Sequence, residues 1–181
     1  KNSFTYFTFF YFRLNNFNVI VEEVAVSDSA GTATFYDMDS SENAIASFDR
    51  QFVEQHRHHT RIMPIIVKVK TLDSIVTEHS FMTDLIKIDV EGADYLAMKG
   101  FINTITARKP SIMIEITNAE TADQINKLLD HLPFEYVIYE IQEENGLVRR
   151  SKIEKHSNRN YLLSNDSENT CKVISRFIAN E

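Results

Sequence analysis

Three carboxylates stand close together after an apolar run. Asp89, Glu91 and Asp94 follow Leu85, Ile86 and Ile88, with Gly92 among them. Residues 85–90 read as a buried strand, and Gly92 permits a tight turn from that strand into a helix. In open α/β sheets, ligands bind outside the carboxyl ends of the strands. Asp89 stands at such an end, with Glu91 and Asp94 beside it. Neighbouring carboxylates raise one another's pKa, and a raised carboxylate suits proton removal. For Asp94 there is a plainer alternative: it falls in the first turn of the next helix, where the dipole favours negative charge.

Weaker signals lie elsewhere. Asp37, Met38 and Asp39 match the D-x-D pattern of metal-dependent glycosyltransferases, but three residues recur often by chance. His56 and His59 are spaced to share a helix face, with His58 between them, yet no third metal ligand is near. A solvated helix end is the better reading, and no metal site is assigned. Asp89 and Gly92 fit the D-x-x-G of GTPases, but the chain has no phosphate-binding G-x-x-x-x-G-K-[ST] loop. Cys171, the one cysteine, rules out an intrachain disulfide and a cysteine-based zinc site.

These residues need elements to position them. Residues 19–26 and 32–36 read as strands around the turn chemistry of Ser27, Asp28, Ser29 and Gly31. A helix is expected near residues 48–58, a strand over 65–69 and a short helix over 72–76. After residues 85–90, Leu96, Met98, Ile102 and Ile105 recur at roughly helical spacing, and Gly100 weakens or bends that helix. Residues 111–116 follow Pro110 as a strand. Thr117 and Glu120 look like a capping box for a helix running to about Leu132, with Ile125, Leu128 and Leu129 inward. Residues 134–141 and 159–163 are the last strands, and Asn145 and Gly146 between them are a turn signal. From Ser167 the tail has an amphipathic pattern using Val173, Ile174, Phe177 and Ile178. Alternating strands and helices predict a three-layer α/β fold with a mostly parallel sheet and an antiparallel hairpin at one edge.

Composition agrees with a single globular domain: 181 residues, 43% hydrophobic and 25% charged. A formal net charge of −7 is not suited to attracting phosphate backbones, so nucleic acid is not an expected partner. No apolar run approaches the roughly 20 residues that span a bilayer. A reducing, cytoplasmic setting fits the lone cysteine.

The string from Leu85 through Ile88, Asp89, Glu91, Gly92 and Asp94, followed by Leu96, Met98, Lys99 and Gly100, resembles the signature of FkbM-type methyltransferases. Other pieces agree in order. Val24, Ala25, Val26, Ser27 and Asp28 with Gly31 resemble that family's third strand and turn. Thr71, Leu72 and Asp73 resemble its Thr-Leu-Asp segment, and residues 110–115 its fifth strand. The likeness runs over about residues 13–164. It implies a Rossmann-like class I methyltransferase fold. It also implies methyl transfer from S-adenosylmethionine to a hydroxyl on a small molecule such as a sugar, a lipid-linked glycan or a natural product. By the same resemblance, Ser27 and Asp28 face the cofactor's adenine. Asp89 lies near its methionine end or the acceptor, and Glu91 is the next candidate for acceptor contact or general base.

One departure stands out. Such enzymes open with a strand and a Gly-rich loop, whereas the glycines here are Gly31, Gly92, Gly100 and Gly146, with no G-x-G among them. In that region stands an aromatic run from Phe4 to Phe12, seven aromatics in nine residues. Residues 1–12 are therefore expected to be foreign to the domain, residues 13–164 to be a partial methyltransferase domain and residues 165–181 a tail. Without the first strand, the two halves of the sheet lose a shared neighbour. The aromatic run favours self-association if exposed. The alternative function is an inactive fragment or association module lacking the cofactor loop, and a metal-dependent glycosyltransferase is the third reading.

Overall fold

The computed structural model describes residues 17–38, 46–47, 50, 54, 62–90 and 92–165. Among these, two sheets form. The first holds β1 (Ala25–Val26), β2 (Gly31–Met38), β3 (Ala46–Ser47) and β4 (Ile62–Lys70), in the order β1-β4-β2-β3. The turn at Ser27–Ala30 sends β2 back along β4, antiparallel from Gly31↔Val69 to Met38↔Ile62. β1 runs parallel to β4. Only two residues of the expected strand over 19–26 join a ladder; residues 17–21 are largely exposed.

The second sheet holds β5 (Leu85–Ile88), β6 (Ser111–Glu115), β7 (Val137–Gln142), β8 (Gly146–Arg150) and β9 (Asn160–Ser164), in the order β5-β6-β9-β7-β8. β5 and β6 pair in parallel. β9 is antiparallel to both β6 and β7, so β5, β6 and β7 all run the same way. Helices connect those three strands, which is what parallel strands require. The α/β, Rossmann-like class is therefore as expected, with two refinements. Asn145 and Gly146 close a hairpin with β8, a strand over residues that read as loop; Gly146 takes φ 73°, where a side chain is disfavoured. The final strand does not lie at the edge but inserts between β6 and β7. Antiparallel contacts thus outnumber the parallel pairs β1/β4 and β5/β6, which corrects the mostly parallel expectation.

Four helices lie wholly within the described residues: α1 (Leu72–His79), α2 (Asp94–Lys99), α3 (Ile102–Arg108) and α4 (Ala119–Asp130). The stretch after β5 is indeed interrupted at Gly100. Phe101 there is fully buried and starts α3. α4 is capped by Asn118, whose Oδ1 accepts from Thr121 N at 2.8 Å, and not by Thr117. Asn118 holds the extended backbone a cap needs, one residue later than the expected box. The main core joins Ile88, Met98, Phe101, Ile105, Ile112, Ile114, Ile125 and Tyr161, between the second sheet and α2–α4.

Several expectations lie outside the described residues. These are the aromatic run, the helix over 48–58 apart from residues 50 and 54, Asp39, the histidines at 56, 58 and 59, Glu91, Cys171 and the tail from residue 166. No helix among the described residues is long and apolar enough to cross a membrane.

Candidate functional site

β5 ends at Ile88 and the chain turns through Gly92, at φ 92°, into α2. Asp94 locks this turn. Its Oδ1 accepts from Val90 N at 3.1 Å and its Oδ2 from Gly92 N at 3.2 Å. The carboxylate is 1% exposed. Burial pushes its pKa up; the two backbone donors oppose this, and the charge of Asp89 adds to it. The sequence argument assigned the rise to neighbouring carboxylates, but burial leads.

Asp89 is the exposed member. Its carboxylate lies 2.6 Å from the Lys87 ammonium, two residues back on the same face of the strand. That hydrogen bond raises the pKa of Lys87. So Asp89 and Asp94 share one end of α2 in different environments: one solvated and ion-paired, one desolvated and bound to backbone. Glu91 lies outside the described residues.

Ser27 and Asp28 stand at the other end of α2. Ser27 N donates to Lys70 O at 3.1 Å, prolonging the β1/β4 ladder. Asp28 Oδ2 accepts from Lys99 Nζ at 2.7 Å, and the Ser27 and Ser29 hydroxyls lie 3.4 and 3.5 Å from Oδ1. The Lys99 ammonium holds the Asp28 pKa below the usual carboxylate value. The rise from Asp94 to Lys99 sets the two groups about 8 Å apart along the helix.

Asp73 is a residue whose role the sequence did not reveal. Its Oδ1 accepts from Thr104 N at 2.8 Å, and its Oδ2 accepts from Asn103 N at 3.0 Å and from the Asn103 side chain at 2.8 Å. It caps α3 from some 30 residues upstream. The Thr-Leu-Asp resemblance was the signal that could have found it. A second cluster joins Glu22, Lys70, Glu78 and His79. Lys70 Nζ lies 3.0 Å from Glu22 and 2.7 Å from Glu78, and Glu22 lies 2.6 Å from His79 Nε2. The Glu22, Glu78 and His79 atoms lie within 4.8 Å of one another, as metal ligands would, but the Lys70 ammonium already contacts both carboxylates.

The donor chemistry suits a nucleoside cofactor in part. Asp28, Asp89 and the Ser27 hydroxyl are acceptors of the kind that an adenine amine, ribose hydroxyls or an amino group engage. A cavity of about 390 Å³ is lined from α2, α3 and α4, and one of about 510 Å³ from α4, Ile138, Ser151 and Lys152; neither includes Ser27, Asp28 or Asp89.

The profile of the family described as "Methyltransferase FkbM domain" matches residues 2–166. The crystal structure of methyltransferase FkbM from Methylobacillus flagellatus KT is similar in fold, with a TM-score of 0.52 and 16% sequence identity over 90% of this chain and 34% of that one. The chain thus spans about a third of that protein's length. No curated protein matches it.

Proposed function

The chain belongs to the FkbM methyltransferase domain family, and from that premise we propose that it serves S-adenosylmethionine-dependent O-methylation of a hydroxyl on a small molecule: a sugar, a lipid-linked glycan or a natural product. The observation that carries this reading is the β5–turn–α2 unit. Asp94, buried and bonded to Val90 and Gly92, fixes the turn, and Asp89 is presented at the carboxyl end of the strand. When bound, S-adenosylmethionine supplies an activated methyl group. The protein's part is then to orient the acceptor hydroxyl, accept its proton and exclude water. Asp89 is the exposed carboxylate for acceptor contact or proton removal, with Glu91 as the alternative, and Asp94 is the positioning residue. Asp28, with Ser27, is assigned to the cofactor's adenine end; its pairing with Lys99 keeps it ionised as an acceptor.

A second reading is favoured by one observation: the glycines of the chain, Gly31, Gly92, Gly100 and Gly146, form no G-x-G loop of the kind that lets backbone approach a nucleoside cofactor. On that reading the chain is an inactive or associating module of the same fold. Calorimetric titration of the purified chain with S-adenosylhomocysteine separates the two. One-to-one micromolar binding, weakened about tenfold or more in Asp28→Asn by loss of a charge-assisted hydrogen bond, supports the cofactor site. A folded chain that takes up no ligand overturns it in favour of the module.

A further inference from the structure

The six-residue helix α2 is anchored at both ends. At its start, Asp94 accepts from Val90 N and Gly92 N, so the first residue of the helix also fixes the turn that presents Asp89. At its end, Lys99 pairs with Asp28 at 2.7 Å, and Gly100 lies against the Ser27 carbonyl with no room for a Cβ. The Gly100 carbonyl accepts from Asp73 N at 3.0 Å, which ties the same end to the start of α1. Between the anchors, Ala97 and Met98 are fully buried in the main core.

A helix this short has little give along its axis, because its backbone hydrogen bonds set its length. A displacement at one end therefore reaches the other. The bonds from Val90 N and Gly92 N to Asp94, at 3.1 and 3.2 Å, stand at the long end of the N–H···O range and have room to shorten. Lys99 is exposed, and an exposed ion pair contributes little to stability. A cation in the last turn of a helix also answers its dipole. Neither effect accounts for the partner it takes: Asp28, 71 residues away in sequence.

We propose that α2, through the Lys99–Asp28 pair, couples the two ends of the site, so that filling the cofactor end tightens the turn that presents Asp89 to the acceptor. This rests on the assignment of Asp28 to the cofactor. A donor from the cofactor fixes the Asp28 carboxylate, the carboxylate fixes Lys99, and the helix carries the constraint to Asp94. Lys99 is then a positioning residue. Linkage is reciprocal, so an acceptor held at the Asp89 end raises cofactor affinity by the same factor.

Hydrogen exchange at single amides tests this in the full chain, with and without saturating S-adenosylhomocysteine. The ligand should slow exchange at Val90 and Gly92 about fivefold or more relative to the amides of the β7–β8 hairpin. Lys99→Met should remove that selective slowing while leaving the denaturation midpoint close to wild type, and Lys99→Arg should restore it. If the folded wild-type chain takes up no S-adenosylhomocysteine, the cofactor reading falls and this inference with it. If the ligand binds but Val90 and Gly92 slow no more than the hairpin, the coupling alone is overturned and the cofactor reading stands. Selective slowing that persists in Lys99→Met also overturns it, because the constraint would then bypass the ion pair.

Discussion

Glu140 is a carboxylate that is 2% exposed in the middle of β7. Burial pushes its pKa up, but the Arg150 hydrogen bond at 2.8 Å, with help from Gln142 and Asn158, outweighs this and holds it below the ordinary 4.5. Glu140→Ala should cost about 1–2 kcal/mol in a urea titration through the lost charge-assisted hydrogen bonds, because the Arg150 side chain is 39% exposed and water can take the place of its partner. Because the folded state holds this proton less tightly than the unfolded chain, the stabilisation is present above 4.5 and is lost as pH falls through the folded value. Asp94 has the opposite sign. Its folded pKa lies above the ordinary 3.8, so stability falls as pH rises from 3.8 through the raised value. Asp94→Asn should remove that component from a series of denaturation midpoints taken against pH, and the lost acceptor should lower stability by about 1–2 kcal/mol. The carboxylates at residues 89–94 were legible because they follow a plain apolar strand. Glu140 was not: in a strand it reads as a solvent-facing position, and only the inserted β9 and the Arg150 side chain make its burial tolerable.

Gly100 shows how an element boundary can be read correctly for an incomplete reason. The sequence marks it as a weak point in a helix. The structure adds that a Cβ there would lie 2.2 Å from the Ser27 carbonyl oxygen. Its φ is −71°, so the backbone itself would accept alanine. Gly100→Ala should therefore destabilise by about 1–3 kcal/mol through overpacking, against the roughly 1 kcal/mol gain that alanine brings in an open helix; thermal unfolding gives the sign. Asp73→Ala should cost about 1 kcal/mol by uncapping α3, with a matching drop in urea midpoint. Helices and strands from residue 62 onward were legible from periodicity, though α4 started one residue later than its apparent box. The strand at 19–26 was not, because β propensity forms a ladder only where a partner lies alongside, and that partner is β4 at Ala25 and Val26 alone. β8 escaped because Asn145 and Gly146 locate a turn without saying how far its second arm pairs.

At the scale of the whole molecule, the described residues form two sheets with no ladder between them. β5 pairs only with β6 among the described residues, and Leu85 on it is 59% exposed, near Met82 at 72%. A strand with exposed apolar side chains invites association. Leu85→Lys should lower the weight-average mass in sedimentation equilibrium at a fixed concentration if this strand associates, and an unchanged mass would assign any association to another surface. Whether the two halves of the sheet have a shared neighbour falls on residues outside the described ones. The described contacts between the halves were not legible in the sequence, because they depend on residues far apart in it. Ser27 bonds to Lys70 in the first sheet, and its carbonyl rests against Gly100; the Gly100 carbonyl in turn accepts from Asp73 N at 3.0 Å, and Asp73 caps α3. A local opening on either side must break contacts on the other. In native-state hydrogen exchange the amides of Ser27, Asp73 and Thr104 should then open as one cooperative unit with a shared free energy, so that two sheets without a common ladder melt as a single foldon.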